Sequence, residues 1–187
     1  MDTSTGPVVF SACADEVTWY LGTDQIEASG SSVEVERQMW RTIFQEVASL
    51  TPHTFRELPA NEDPAAATIV IGYADPTASA DQSATMPAQH LGIGGIAEVV
   101  WDGSAWVTAK AFVTLNAAEL RKWPQVKDLR GWVSRHELGH ALGLSHHDDG
   151  SHLMAHRYRP GISQPRFRAE DLTELNQRFD HNCAAVS

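Results

Sequence analysis

Residues 136 to 156 read "HELGHALGLSHHDDGSHLMAH" and hold six of the nine histidines: His136, His140, His146, His147, His152 and His156. His136 and His140 are four apart, so on a helix their imidazoles project from one face, a turn apart. Two nitrogens so placed can reach one small cation at roughly 2.0–2.1 Å each. Glu137, beside the first of them, can face the cation's open side and accept a proton from a water held there. Gly143, three past His140, tolerates the left-handed backbone that ends helices, so the chain can turn back and bring His146 to the same cation. Three neutral imidazoles with one position left for water are the set expected of a catalytic zinc, not a structural one. Such a cation lowers the pKa of water and polarises a carbonyl. With Glu137 as general base, a peptide bond can be hydrolysed without any covalent nucleophile.

The length of the pattern gives it weight. A bare pair of histidines at helical spacing usually faces solvent. Glu137 makes the pair an H-E-x-x-H motif. Gly143 and His146 extend it to H-E-x-x-H-x-x-G-x-x-H, and Met154 falls eight residues further on, where a methionine turn would pass beneath the metal.

These residues need a scaffold, and the rest of the chain supplies an α+β one. "EVTWYLG" (16–22) alternates and reads as a strand. Ser31 or Ser32 caps a helix through "VEVERQMWRTIFQEVASL", with Val35, Met39, Ile43, Val47 and Leu50 at helical spacing and Trp40 and Phe44 alongside. "TPHTFREL" reads as a loop leading into a short extended piece, and "ATIVIGYA" (67–74) as a buried strand. Residues 75–89 form a surface loop, and residues 95–116 two strands around the turn "DGS". After Pro124, "QVKDLRGWVSRHELGHALG" is a helix ending at Gly143. "RAEDLTELNQRF" places Leu172, Leu175 and Phe179 on one face of a terminal helix.

Bulk properties narrow the classes. The 187 residues suit one domain. A formal net charge of -10 argues against nucleic acid or an anionic membrane as partner. No apolar run approaches the ~18 residues of a membrane span. "MDTSTGPVVF" has neither the basic region nor the apolar stretch of a signal peptide, which suits a mature fragment. Cys13 and Cys183, one near each end, are the only cysteines, and a disulfide between them would imply an oxidising compartment. Two unrelated buried thiols are the alternative.

The sequence resembles the metzincin zinc metalloproteases, and among them the matrixins, over most of its length. "VTWYL", "TIVIGYA", "GGIAEVVW" and "AKAFVTLN" are similar to matrixin strands, and "RAEDLTELNQRF" to the C-terminal helix. The resemblance implies a twisted, mixed five-stranded sheet over two helices, roughly residues 13–143. A small irregular subdomain with a terminal helix, residues 144–187, would follow across the cleft. It further implies one catalytic zinc on His136, His140 and His146, Glu137 as base and Met154 as support. An extended polypeptide substrate would pair with the edge strand at Ile96, Ala97, Glu98 and Val99. Tyr158 would wall the specificity pocket, and Trp132, one turn before His136, would either shorten it or turn toward the core. His156 stands where matrixins carry proline and is expected in the pocket wall, and His147 stands where they usually carry serine. The loop before the fourth strand offers only His90 and scattered aspartates, so no structural zinc is expected, and calcium has no supporting motif. A secreted, monomeric endopeptidase is the expectation. A catalytically silent zinc-binding module and a zinc exopeptidase stay open as alternatives.

Overall fold

In the computed structural model, residues 9–10, 16–76, 86–101, 106–124, 126, 128–158 and 166–171 are described. Cys13, Cys183, the expected "DGS" turn and the part of the expected terminal helix beyond Asp171 lie outside them.

Alternating side chains build a sheet with one buried face. In β2 (Glu16–Leu21), Val17, Trp19 and Leu21 are buried, and in β4 (Ile69–Ala74) Ile69, Ile71 and Tyr73 are. β6 (Trp106–Asn116) contributes Ala111, Val113 and Leu115. β3 (Thr54–Glu57) pairs parallel with β2, β2 with β4, and β4 with β6, while β5 (Gly92–Trp101) runs antiparallel to β6. The five-stranded mixed sheet expected from the sequence is present, with a two-residue strand, β1 (Val9–Phe10), added alongside the start of β6. The extended piece after "TPH" is itself a sheet strand.

Ser32 caps α1 (Val33–Ala48), its hydroxyl accepting the Val35 N–H at 3.3 Å. The buried face differs from the expected stripe: Glu36, Trp40, Ile43, Phe44 and Val47 point inward, while Val35 is 60 % exposed. The reason is a partner far off in sequence. Arg130 reaches Glu36 Oε1 at 2.8 Å and Tyr73 donates its hydroxyl to Oε2, so the carboxylate can be buried. The rotated helix brings Phe44 into a stack on Trp19 with centroids 4.7 Å apart.

Two further helices follow β6. α2 (Ala117–Lys122) was not expected; Asn116 caps it by accepting the Glu119 N–H at 3.0 Å. α3 (Leu129–Ala141) is shorter than the sequence pattern at its start, and Gly143 takes the expected left-handed turn at φ 89. Trp132 through Gly139 are all buried, because α3 packs against β5 and β6 as well as α1.

Candidate metal centre

α3 holds His136 and His140 on one face, and the turn at Gly143 returns His146 beside them. One nitrogen of each imidazole lies within 4.8 Å of the others. Backbone carbonyls orient the first two rings. His136 Nδ1 donates to Leu153 O and His140 Nδ1 to Leu144 O, both at 2.9 Å. A proton held on Nδ1 leaves the Nε2 lone pair for a metal. His140 Nε2 and His146 Nε2 face each other at 3.1 Å. Two imidazoles on one tetrahedral zinc would have their nitrogens about 3.3 Å apart. The residues therefore fit the ion: an orienting partner behind each helical ligand, and lone pairs converging in front.

Electrostatics agree. Burial pushes His136 down to about 4, helped by the neighbouring imidazoles His140, His146 and His156. Burial likewise lowers His140 and His146. All three are held neutral, the form that ligates. Glu137 is 7 % exposed, and burial raises its carboxyl to about 7 in the metal-free molecule, although the Gly94 N–H bonds to it and pulls the other way.

Two glycines make the assembly possible by close approach. A Cβ on Gly94 would lie 2.0 Å from Glu137 O, so β5 can touch α3 only without one. A Cβ on Gly139 would lie 2.4 Å from Met154 Sδ. Met154, 1 % exposed, thus packs directly beneath the helix between the two ligands.

The histidines open onto a cleft of about 530 Å³. His136, Glu137, His140, His146, His156, Trp132 and Tyr158 all line it. Trp132 lies with its ring centroid 4.8 Å from His136 and 5.3 Å from Tyr158, and His156 lies 4.1 Å from His146. The other wall is Gln89 to Gly94. Ile96, Ala97, Glu98 and Val99 sit further along β5, around a register shift that leaves Ala97 unpaired, and do not line the cleft.

A family model described as Matrixin matches residues 13–179. The chain belongs to the matrixin family. It is accordingly a metallopeptidase domain with the metzincin fold, and as matrixins are zinc-dependent, His136, His140 and His146 are the group suited to zinc. No match was found among curated proteins.

Sequence reasoning missed several residues of this matrixin cleft. Gly92 and Gly94 had a readable signal, two glycines at alternate positions of an apolar stretch, which marks a strand approached closely by another backbone. Asn116 ties the rim down, its amide donating to Ala88 O at 3.0 Å and His90 O at 2.8 Å. Arg157 also lines the cleft, with no acidic partner among the described residues. Among the described residues no helix is long and apolar enough to cross a membrane.

Proposed function

We propose that this domain is a secreted zinc endopeptidase cutting within extended polypeptides. The observation that carries the reading is the convergence of three imidazoles on a cleft whose opposite wall is the edge of a sheet. Among the described residues β5 pairs only with β6, so its other edge can take up an extended chain by strand addition. The stretch of that edge beside the histidines is Leu91 to Gly94, so substrate backbone is expected there and not at Ile96 to Val99. A chain lying along an edge can continue past the histidines in both directions, which favours internal cleavage.

Zinc held by His136, His140 and His146 would acidify a water and polarise the scissile carbonyl. Glu137, on the same wall, accepts the water's proton and returns it to the leaving amine. The Gly94 N–H keeps that carboxylate in one orientation. Leu153 O and Leu144 O hold the imidazoles turned toward the cleft. Met154 fills the space beneath them. Trp132 and Tyr158 border the pocket next to the site, and the Trp132 indole makes it shallow, favouring small or medium side chains.

One feature favours a second reading. Arg157 could hold a terminal carboxylate, which would make the enzyme a carboxypeptidase. Mass-spectrometric mapping of cuts in a mixed peptide library decides between them. Internal cuts made by the zinc form, and lost with chelator and in Glu137→Ala, are the expected result. Stepwise loss from C-termini would replace the endopeptidase reading, and tightly held zinc without any cut would point to a binding module.

A further inference from the structure

We propose that Asp171 and His152 are a positioning pair that fixes the third zinc ligand and the methionine turn; the proposal rests on the zinc reading above. Both residues are buried, at 8 % and 9 % exposure, and neither belongs to the ligand group.

His152 lies between His146 and Met154 in sequence, and its two nitrogens face two different elements. Nδ1 accepts the Met154 N–H at 3.1 Å. An imidazole accepting at Nδ1 carries its proton on Nε2, and that N–H donates to Asp171 Oδ1 at 2.5 Å. Asp171 is held in turn, its Oδ2 accepting the Arg168 N–H at 2.8 Å. The face of the His152 ring is used as well. It stacks on His147 with centroids 4.3 Å apart and planes 20° apart. His147 directly follows the ligand His146, and its N–H donates to Met154 O at 2.8 Å.

Core packing holds the end of this loop, at Leu153 and Met154, but not its exposed stretch from His146 to Asp149. A cavity of about 420 Å³ lies beside it, bordered by His146, His147, Met154 and Asp171. Where side chains are not closely packed, the hydrogen bonds and the ring stack set the position of the backbone. The segment carrying Asp171 is anchored at its other end too. Phe167 N–H donates to Glu46 Oε1 at 3.0 Å, and Glu46 Oε2 accepts from Arg135 at 2.9 and 3.0 Å. Arg135 immediately precedes His136. Residues 167–171 therefore reach the element bearing the first ligand and the loop bearing the third.

The test uses the full chain loaded with zinc, and the variants Asp171→Ala, Asp171→Asn and His152→Asn. Asparagine at 152 keeps an acceptor near the Nδ1 position for Met154 but cannot reach Asp171. Asparagine at 171 keeps the shape and an acceptor for Arg168 but turns its amide toward His152, so it breaks the pair with less risk to the fold than Asp171→Ala. Zinc transfer to a competing chelator and the visible spectrum of the cobalt(II)-substituted protein are measured beside the melting temperature. Residues behind metal ligands typically change affinity by about 10–100-fold. We expect Asp171→Asn, Asp171→Ala where it folds, and His152→Asn each to weaken zinc by at least tenfold and to alter the cobalt spectrum. The double variant should be no worse than either alone. Folded variants with unchanged zinc affinity and cobalt spectrum would overturn the proposal, even with a lowered melting temperature, and leave the pair a purely folding contact. A wild type that fails to retain zinc would instead overturn the zinc reading itself.

Discussion

Replacing Glu137 with glutamine is expected to stabilise the metal-free protein at pH 8 while abolishing hydrolysis by the zinc form. Burial lifts the carboxyl from an ordinary 4.5 to about 7. The folded state therefore binds this proton more tightly than the unfolded state. The carboxyl costs nothing below pH 4.5, and its ionisation opposes folding increasingly from there to pH 7 and fully above. At about 1.4 kcal/mol per tenfold change in proton affinity, the full effect is roughly 3 kcal/mol. Glutamine has the same shape, carries no charge and still accepts the Gly94 N–H. The variant should thus gain roughly 3 kcal/mol at pH 8, about 6–12 °C in melting temperature for a domain of this size. The gain should shrink to a few tenths of a kcal/mol near pH 4.5. Urea denaturation in excess chelator at pH 8, 6 and 4.5 measures it. With zinc present the difference narrows, since a nearby cation stabilises the carboxylate. A variant no more stable than wild type at pH 8, or a gain that persists undiminished at pH 4.5, would refute the reasoning.

The same chelated titrations expose His136. Its pKa falls to about 4 on folding, so the unfolded chain binds the extra proton and stability is lost as pH drops from about 6.5 to 4. In wild type Glu137 runs the opposite way over much of this window; in the Glu137→Gln background a slope worth about 3 kcal/mol should appear. Gly94→Ala should cost about 3 kcal/mol or force β5 off α3, and lower activity with it, because its Cβ meets backbone. Gly95→Ala, whose Cβ would sit 3.6 Å from the Phe112 ring, should be nearly neutral in both melting and activity. Trp132→Leu should shift cleavage toward longer side chains after the scissile bond; an unchanged peptide-library profile would show that the indole does not set pocket depth.

Coordination chemistry made the metal centre legible. A cation needs its donors at fixed offsets along a helix and a turn, so His136, His140, Gly143, His146 and Met154 identify themselves without knowledge of the fold. The strands were equally readable, from the alternation in "EVTWYL" and the short apolar run "IVIGYA". The errors arose where a distant partner decides. Glu36 reads as a surface residue until Arg130, 94 positions away, is placed beside it. Gly92 and Gly94 fall between the loop 75–89 and the strands 95–116 expected from the sequence; their spacing marks a close approach, but nothing local says that Glu137 is what approaches them. Asn116, with Glu119 three residues on, did carry the mark of a helix start, so α2 could have been found. The bond from His152 to Asp171 could not, since neither residue is unusual in its own neighbourhood.

The order of elements along the chain also sets the order in which the protein can be made. Among the described residues every strand of the sheet lies before residue 117, and the histidines suited to zinc lie at 136, 140 and 146. Chains are synthesised from the N-terminus at about 5–20 residues per second, and what emerges first can begin to fold first. The histidines therefore leave the ribosome after the whole sheet that α3 packs upon, and Asp171 leaves after the histidines. A nascent chain that stalls early carries no zinc-binding motif, and one cut short before Asp171 carries the ligands without their last hydrogen-bonded support. The capacity to capture the ion is thus reserved for chains whose scaffold is already synthesised.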